Sequence, residues 1–172
     1  MDKIIFTGPV GAGKTTAIGA ISETVPVGTD VNCTDHSRQL KEKTTVAMDY
    51  SYITLADGSR IHLYGTPGQE RFSFMWDILT QGGIGLVLLV NRDCENPVEQ
   101  MEYYLDAFEN FIADTGVVIG VTRSGINDGA TVNELQMRLM ERGQVFPVFE
   151  IDARNSDDVS ILVHALLAVL QA

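Results

Sequence analysis

A short run near the start of the chain combines closely spaced glycines with a lysine and a threonine. It consists of Gly8, Pro9, Val10, Gly11, Ala12, Gly13, Lys14 and Thr15. Residues 3–7, which precede it, are of strand type, and residues 14–22 have a helical pattern. Small residues at such a junction allow successive backbone N–H groups to converge at the positive end of the helix dipole. The run therefore constrains the chain to begin with a strand, a tight loop and a helix.

This loop has the residue types that bind phosphate. Backbone N–H groups would contact the phosphate oxygens, Lys14 would reach the outer phosphates, and the hydroxyl of Thr15 would bind Mg²⁺. The alternative is a glycine-rich turn that merely opens a helix. The strand before the loop and the helix after it favour phosphate binding.

Length and charge limit the remaining possibilities. The 172 residues predict one domain, residues 1–172, with a single core. The net charge of −11 disfavours non-specific binding to nucleic acid or anionic lipid. No secretory signal, spanning segment or lipidation motif is evident, so we expect a cytoplasmic protein without a direct membrane anchor. Cys33 and Cys94 lack metal-site spacing and are typical of small apolar residues in a reducing compartment.

Strands and helices alternate along the rest of the chain. Besides residues 3–7, the pattern predicts strands at 46–55, 60–64, 84–90, 117–121 and 145–151. Helices intervene, and Ser156 is expected to cap the last one. Pro147 indicates an edge or a bulge position for the last strand. Asp57 and Gly58 predict a hairpin turn, and residues 24–43 read as a long irregular connection. We expect an α/β fold with a mostly parallel six-stranded sheet, one antiparallel hairpin pair and flanking helices.

In sheets of this kind ligands bind at the carboxyl ends of the strands. Four loops are expected at that edge: residues 8–15, 65–71, 122–128 and 152–154. Their convergence is hard to explain by fold maintenance alone, and it predicts a ligand site there.

The order of these loops resembles the Ras-like small GTPases, P-loop proteins with a three-layer fold, over essentially the whole chain. The resemblance is tightest at residues 43–50 and 64–72. These segments look like the bacterial branch, namely the conservon-type (CvnD-like) ATP/GTP-binding proteins of actinobacteria and, more distantly, the gliding-motility MglA proteins.

That resemblance implies GTP or GDP as ligand and Mg²⁺ as cofactor. Thr45 would bind Mg²⁺ together with Thr15. If the alignment with the family is shifted by one residue, Thr44 takes this role. Gly68 would donate its N–H to the γ-phosphate, Gln69 would orient the attacking water, and Lys14 would complete the catalytic pair. The residues expected to bind the nucleotide are Gly8, Val10, Gly11, Ala12, Gly13, Lys14, Thr15, Thr16, Thr45, Gly68, Thr122, Arg123, Ala153 and Arg154.

Two departures from the family pattern affect the phosphate end of the site. Gly65 stands where most Ras-like proteins have an aspartate that holds a Mg²⁺-bound water, so we expect weaker Mg²⁺ dependence or a substitute ligand. Val10 replaces a glycine and would crowd the space of Gln69, which predicts slow turnover. Arg38 or Arg71 could act in cis, although solvated surface arginines are the ordinary interpretation.

A third departure concerns the base. Gly125 stands where the family has the aspartate that accepts two hydrogen bonds from guanine. The stem of Arg123 could still lie along the base plane, and Asn127 or Asp128 could substitute for the carboxylate. The backbone N–H of Ala153 would contact the guanine oxygen. Guanine is favoured and adenine remains an alternative.

The sequence therefore predicts a nucleotide-dependent molecular switch with slow GTPase activity that signals through partner proteins. The resemblance implies a roadblock-type (LC7-like) regulatory partner, while the downstream effector stays open. A degenerate nucleotide-binding module without hydrolysis and a P-loop small-molecule kinase are the alternatives. A candidate partner surface comprises Phe72, Phe74, Met75 and Trp76. Packing in the core would account for at least half of these four apolar side chains.

Overall fold

The structure, a computed structural model, describes residues 2–23, 27–33, 44–68, 70–122 and 132–172, of which 27–33, 44–48 and 70–72 are described by their backbone. The strands are β1 (Asp2–Thr7), β2 (Val27–Cys33), β3 (Thr44–Thr54), β4 (Arg60–Gly65), β5 (Gly85–Asn91), β6 (Val117–Thr122) and β7 (Val148–Glu150). The α-helices are α1 (Lys14–Ile21), α2 (Trp76–Thr80), α3 (Pro97–Ala107), α4 (Glu109–Asp114), α5 (Val132–Glu141) and α6 (Ser156–Gln171), and Glu70–Met75 forms a 3₁₀ helix.

The described strands form one sheet in the order β2-β3-β4-β1-β5-β6-β7. Five neighbouring strands run parallel, namely β4, β1, β5, β6 and β7, and β3 is antiparallel to β4. The hairpin turn between β3 and β4 includes Gly58 with φ of 84°, as the Asp57–Gly58 pair predicts. The predicted α/β class with a mostly parallel sheet is confirmed.

One strand more than expected is present. Residues 27–33 lie inside the predicted irregular connection, yet they form β2 and pair antiparallel with β3 from Val27 opposite Tyr50 to Cys33 opposite Thr44. Their sequence combines glycine, aspartate and asparagine with valine and lacks the alternation that predicts a strand. The long strand β3 provides backbone N–H and C=O groups that pair with residues 27–33. Hydrogen bonding to β3, and not the local sequence, therefore makes this segment a strand.

The core has two layers, one on each face of the sheet. Ile4 and Phe6 of β1 are fully buried on the face covered by α1 and α6, and Ile5 is fully buried on the face covered by α3. Burying a side chain of this size contributes about 1.5–3 kcal/mol. Because β1 is hydrophobic on both faces and central in the sheet, the loop that follows it starts from a fixed position.

Three predictions on element ends need correction. Asn155, not Ser156, caps α6, since its side chain accepts hydrogen bonds from the N–H groups of Asp157 and Asp158 at 2.9 and 3.1 Å. The strand predicted at 145–151 is limited to β7, which lies at the sheet edge directly after Pro147, as the proline indicates. The apolar residues from Met101 to Ile112 recur at helical spacing and predict one helix that begins at Pro97, whereas the structure divides it at Phe108 into α3 and α4.

None of the helices in the described residues has the length and apolar character required to cross a bilayer.

Candidate phosphate-binding site

Residues 8–13 connect β1 to α1 with a backbone that only glycine tolerates at key positions. Gly8 has φ of 145°, and a Cβ atom there would lie 2.3 Å from the carbonyl oxygen of Leu89. Gly13 has φ of 95°, and its Cβ would lie 3.1 Å from the Cβ of Ala153. The two glycines therefore allow the loop to pass close to β5 and to the loop that carries Ala153.

Lys14 is folded back over this loop. Its ammonium group donates hydrogen bonds to the carbonyl oxygens of Gly8 at 2.6 Å and Pro9 at 2.8 Å. The side chain is buried, and this desolvation lowers the pKa of Lys14 to about 8, although the charge of Asp49 acts in the opposite direction. An anion bound by the loop would favour the protonated amine, so the arrangement suits a phosphate group.

The hydroxyl of Thr15, in the first turn of α1, donates a hydrogen bond to a carboxylate oxygen of Asp49. Asp49 lies in β3 directly opposite Gly65 of β4. Asp49 is not among the site residues predicted from the sequence. The available signal was its position as the one charged residue in the predicted strand at 46–55.

The segment after β4 lies against the same loop. A Cβ atom on Gly68 would be 2.8 Å from the backbone nitrogen of Val10 and 2.9 Å from Nζ of Lys14. The hydroxyl groups of Thr66 and Thr7 form a buried hydrogen bond of 2.8 Å, which ties this segment to β1. Gly68 therefore lies against the phosphate loop, and donation of its N–H to the γ-phosphate stays a prediction.

Thr122 and Asn91 contact the other side of the loop. The hydroxyl of Thr122, which is buried, donates to the carbonyl oxygen of Ala12 at 2.7 Å and lies 3.3 Å from that of Val90. The side-chain amide of Asn91 donates to the carbonyl oxygen of Gly11 at 3.4 Å. Thr122, predicted to bind the nucleotide, thus donates its hydroxyl to the phosphate loop, and its contact with a nucleotide stays a prediction.

The loop after β7 brings a charged pair to this edge. The guanidinium of Arg154 donates to the carboxylate of Asp152 at 3.0 and 2.9 Å. Hydrogen bonds from Arg154 lower the pKa of Asp152 to about 2. Ala153, between the two, packs on Gly13.

The structure thus brings together most of the predicted residues that it describes. They are Gly8, Val10, Gly11, Ala12, Gly13, Lys14, Thr15, Thr16, Gly68, Thr122, Ala153 and Arg154. The backbone of Thr45 lies in β3 opposite Asn32, its side chain lies outside the described part of the chain, and its contact with Mg²⁺ stays a prediction.

Several predicted residues lie outside the described part of the chain. They are Gln69, Arg123, Gly125, Asn127, Asp128 and Arg38, and the side chains of Arg71 and Phe72 belong with them. In the candidate partner surface Met75 and Trp76 are buried, whereas Phe74 is 37% exposed.

No protein-family model matches the chain. The chain is similar to the Ras-related protein Rab-27A of Sus scrofa, with 24% identity over 98% of this chain and 77% of that protein. It is 21% identical to the Ras-related protein Rab-11B of Dictyostelium discoideum over 95% of this chain and 71% of that protein. It is 30% identical to the uncharacterized protein MJ1339 of Methanocaldococcus jannaschii over 67% of this chain and 71% of that protein.

The α/β sheet, the phosphate loop and the Ras-related relatives support a Ras-like P-loop protein. The chain belongs to the same family as the uncharacterized protein MJ1339. The assignment to the bacterial conservon-type and MglA-like branch stays a prediction.

Proposed function

We propose that the protein is a molecular switch that binds GTP, hydrolyses it slowly to GDP, and acts through partner proteins. The observation that carries this proposal is the meeting of Lys14, Thr15 and Gly68 at the phosphate loop. A cation and a hydroxyl on this loop, with the backbone of Gly68 lying against it, suit phosphoryl transfer, which depends on placement and charge neutralisation. The similarity to the Rab proteins supports the same class.

Mg²⁺ fits the donor set of this site. The hydroxyl of Thr15 and the carboxylate of Asp49 are hard oxygen ligands, and the two groups are hydrogen-bonded to each other. When bound, Mg²⁺ would supply positive charge to the outer phosphates. Lys14 would bind the same phosphates, and Thr15 would hold the cation.

Slow hydrolysis follows from the surroundings of Val10. Its side chain is 66% exposed, and its backbone nitrogen lies next to Gly68, the residue before Gln69. A branched side chain at this point would compete with Gln69 for the space beside the terminal phosphate. Because positioned water is what Gln69 would contribute, restricted access lowers the rate.

Guanine as the base is supported by the Rab similarity, and one observation favours an alternative. The hydroxyl of Thr122 is engaged by the phosphate loop, and Gly125 has no carboxylate to offer guanine. A site without that pairing group discriminates poorly between bases. The alternative is therefore a protein that uses ATP, or one that binds nucleotide without significant hydrolysis.

Two measurements on purified protein test the proposal. Titration of GDP, GTP and ATP in the presence of Mg²⁺ should give tighter binding of the guanine nucleotides. Single-turnover assays should show phosphate release that is lost in Lys14→Ala and in Gln69→Ala. Lys3→Ala, a change at a lysine that contacts the carbonyl oxygen of Gln81, is the matched control and should retain activity. Tighter binding of ATP, or no phosphate release, would refute the GTPase assignment.

A roadblock-type (LC7-like) protein is the partner that we propose, on the family resemblance. Exposed apolar side chains lie near residues 64–72, the segment that carries Gly68 and Gln69, and support a protein contact there: Phe74 is 37%, Ile78 58% and Tyr103 40% exposed. Binding of such a partner should differ between the GDP-loaded and GTP-analogue-loaded forms, measured by calorimetry. Equal affinity of both forms would contradict a switch.

A further inference from the structure

We propose that Asp49 of β3 is the carboxylate of the divalent-cation site at the phosphate loop and replaces the one that Gly65 lacks. The inference rests on the proposed function, because the cation would bind together with nucleotide phosphates. It answers how a chain of this class can hold Mg²⁺ without an aspartate at the end of β4.

The first observation is the pairing of Asp49 with Gly65. The two residues are directly opposite in the antiparallel β3–β4 ladder. A Cβ atom on Gly65 would lie 3.3 Å from Cβ of Asp49 and 3.4 Å from its Oδ2. A side chain on Gly65 would therefore enter the volume that the Asp49 carboxylate occupies. Two neighbouring strands can each deliver a carboxylate to this space, and in this chain β3 does so.

The second observation is what the Asp49 carboxylate faces. It accepts a hydrogen bond from the hydroxyl of Thr15 and lies close enough to Lys14 for its charge to act on the ammonium group. Thr15 and Lys14 are the two side chains of the loop that its motif assigns to the cation and to the phosphates. Asp49 is thus next to both, at the N-terminal end of α1.

The chemistry of Mg²⁺ fits such a site. Mg²⁺ is usually bound by one or two carboxylates together with substrate phosphates, and it keeps several waters. One carboxylate and one hydroxyl from the protein leave the remaining positions to phosphate oxygens and water. A purely structural role, in which Asp49 only orients Thr15, would give the same hydrogen bond but no dependence on the cation.

The test measures how Mg²⁺ slows release of a fluorescent GDP analogue from the full chain. We expect Asp49→Asn to need about 10- to 100-fold more Mg²⁺ for half of the effect, while release in excess EDTA stays at the wild-type rate. The double variant Asp49→Gly/Gly65→Asp, which moves the carboxylate to the facing strand, should recover much of the Mg²⁺ response. Asp57→Asn, in the hairpin turn, is the control and should match the wild type.

An unchanged Mg²⁺ midpoint in Asp49→Asn would overturn the inference, as would equally faster release with and without Mg²⁺. A wild-type protein that binds no nucleotide would instead refute the proposed function itself. A second measurement needs no variant: Fe²⁺ with ascorbate and peroxide, added to the GDP complex, cleaves the backbone near a Mg²⁺ site. Cleavage at Asp49 supports the inference, and cleavage confined to other segments overturns it.

Discussion

The hydroxyl of Thr122 offers a sharp test of how the phosphate loop is held in place. Thr122 lies at the end of β6, is 1% exposed, and donates to the carbonyl oxygen of Ala12 at 2.7 Å. Thr122→Val replaces the hydroxyl by a methyl group of similar size. The packing is then nearly unchanged, but the Ala12 oxygen loses this donor in a place that water does not reach.

The expected cost follows from leaving a buried acceptor without this donor. Such a loss destabilises a protein by about 1–3 kcal/mol. In a domain of this size each kcal/mol lowers Tm by roughly 2–4 °C. Displacement of the loop at Ala12 would also weaken phosphate binding, tenfold for about every 1.4 kcal/mol. Because the effect acts on the loop, GDP, GTP and ATP should all lose affinity by the same factor.

Thermal unfolding and nucleotide titration measure the two effects separately. Thr122→Ser keeps the hydroxyl and should remain close to the wild type in both assays. Thr122→Val should show a lower Tm and weaker binding of all three nucleotides. A changed ratio between guanine and adenine nucleotides would instead indicate that Thr122 contacts the base. Unchanged Tm and unchanged affinities would refute the argument from the buried hydrogen bond.

Three further predictions concern pH and packing. Burial lowers the pKa of Lys14 to about 8. Above about pH 8 the folded state therefore loses the Lys14 proton, whereas the unfolded state keeps it up to about pH 10.5. The free energy of unfolding of nucleotide-free protein should therefore rise between pH 8 and 10.5, by about 3 kcal/mol at most, and this rise should be absent in Lys14→Met. Gly120→Ala places a Cβ 2.9 Å from Cδ1 of Leu162, so urea denaturation should show a loss of about 1–3 kcal/mol, less than additive with Leu162→Ala. Removing the hydrogen bonds of Arg154 in Arg154→Ala should return the pKa of Asp152 from about 2 toward 3.8, as followed by carboxyl NMR; no change would contradict their role.

Local patterns were sufficient for much of the fold. The alternation of apolar segments with helical stripes predicted six of the seven described strands, and the Asp57–Gly58 pair predicted the hairpin between β3 and β4. The strand β2 was missed because its sequence carries no alternation, and it forms only where β3 supplies backbone partners. The cap of α6 was misplaced by one residue, since Asn155 and Ser156 are both good caps and the backbone of Asn155 is the extended one.

The eight residues from Gly8 to Thr15 by themselves predict where a phosphate site would lie, and they determine the tight loop between β1 and α1. Their glycines, the lysine and the start of α1 are neighbours in sequence, so local backbone geometry fixes their arrangement. Which carboxylate meets Thr15 was decided only by the tertiary structure. Asp49 is 34 residues away, and it reaches Thr15 because the register of β3 on β4 sets it opposite Gly65, beside α1.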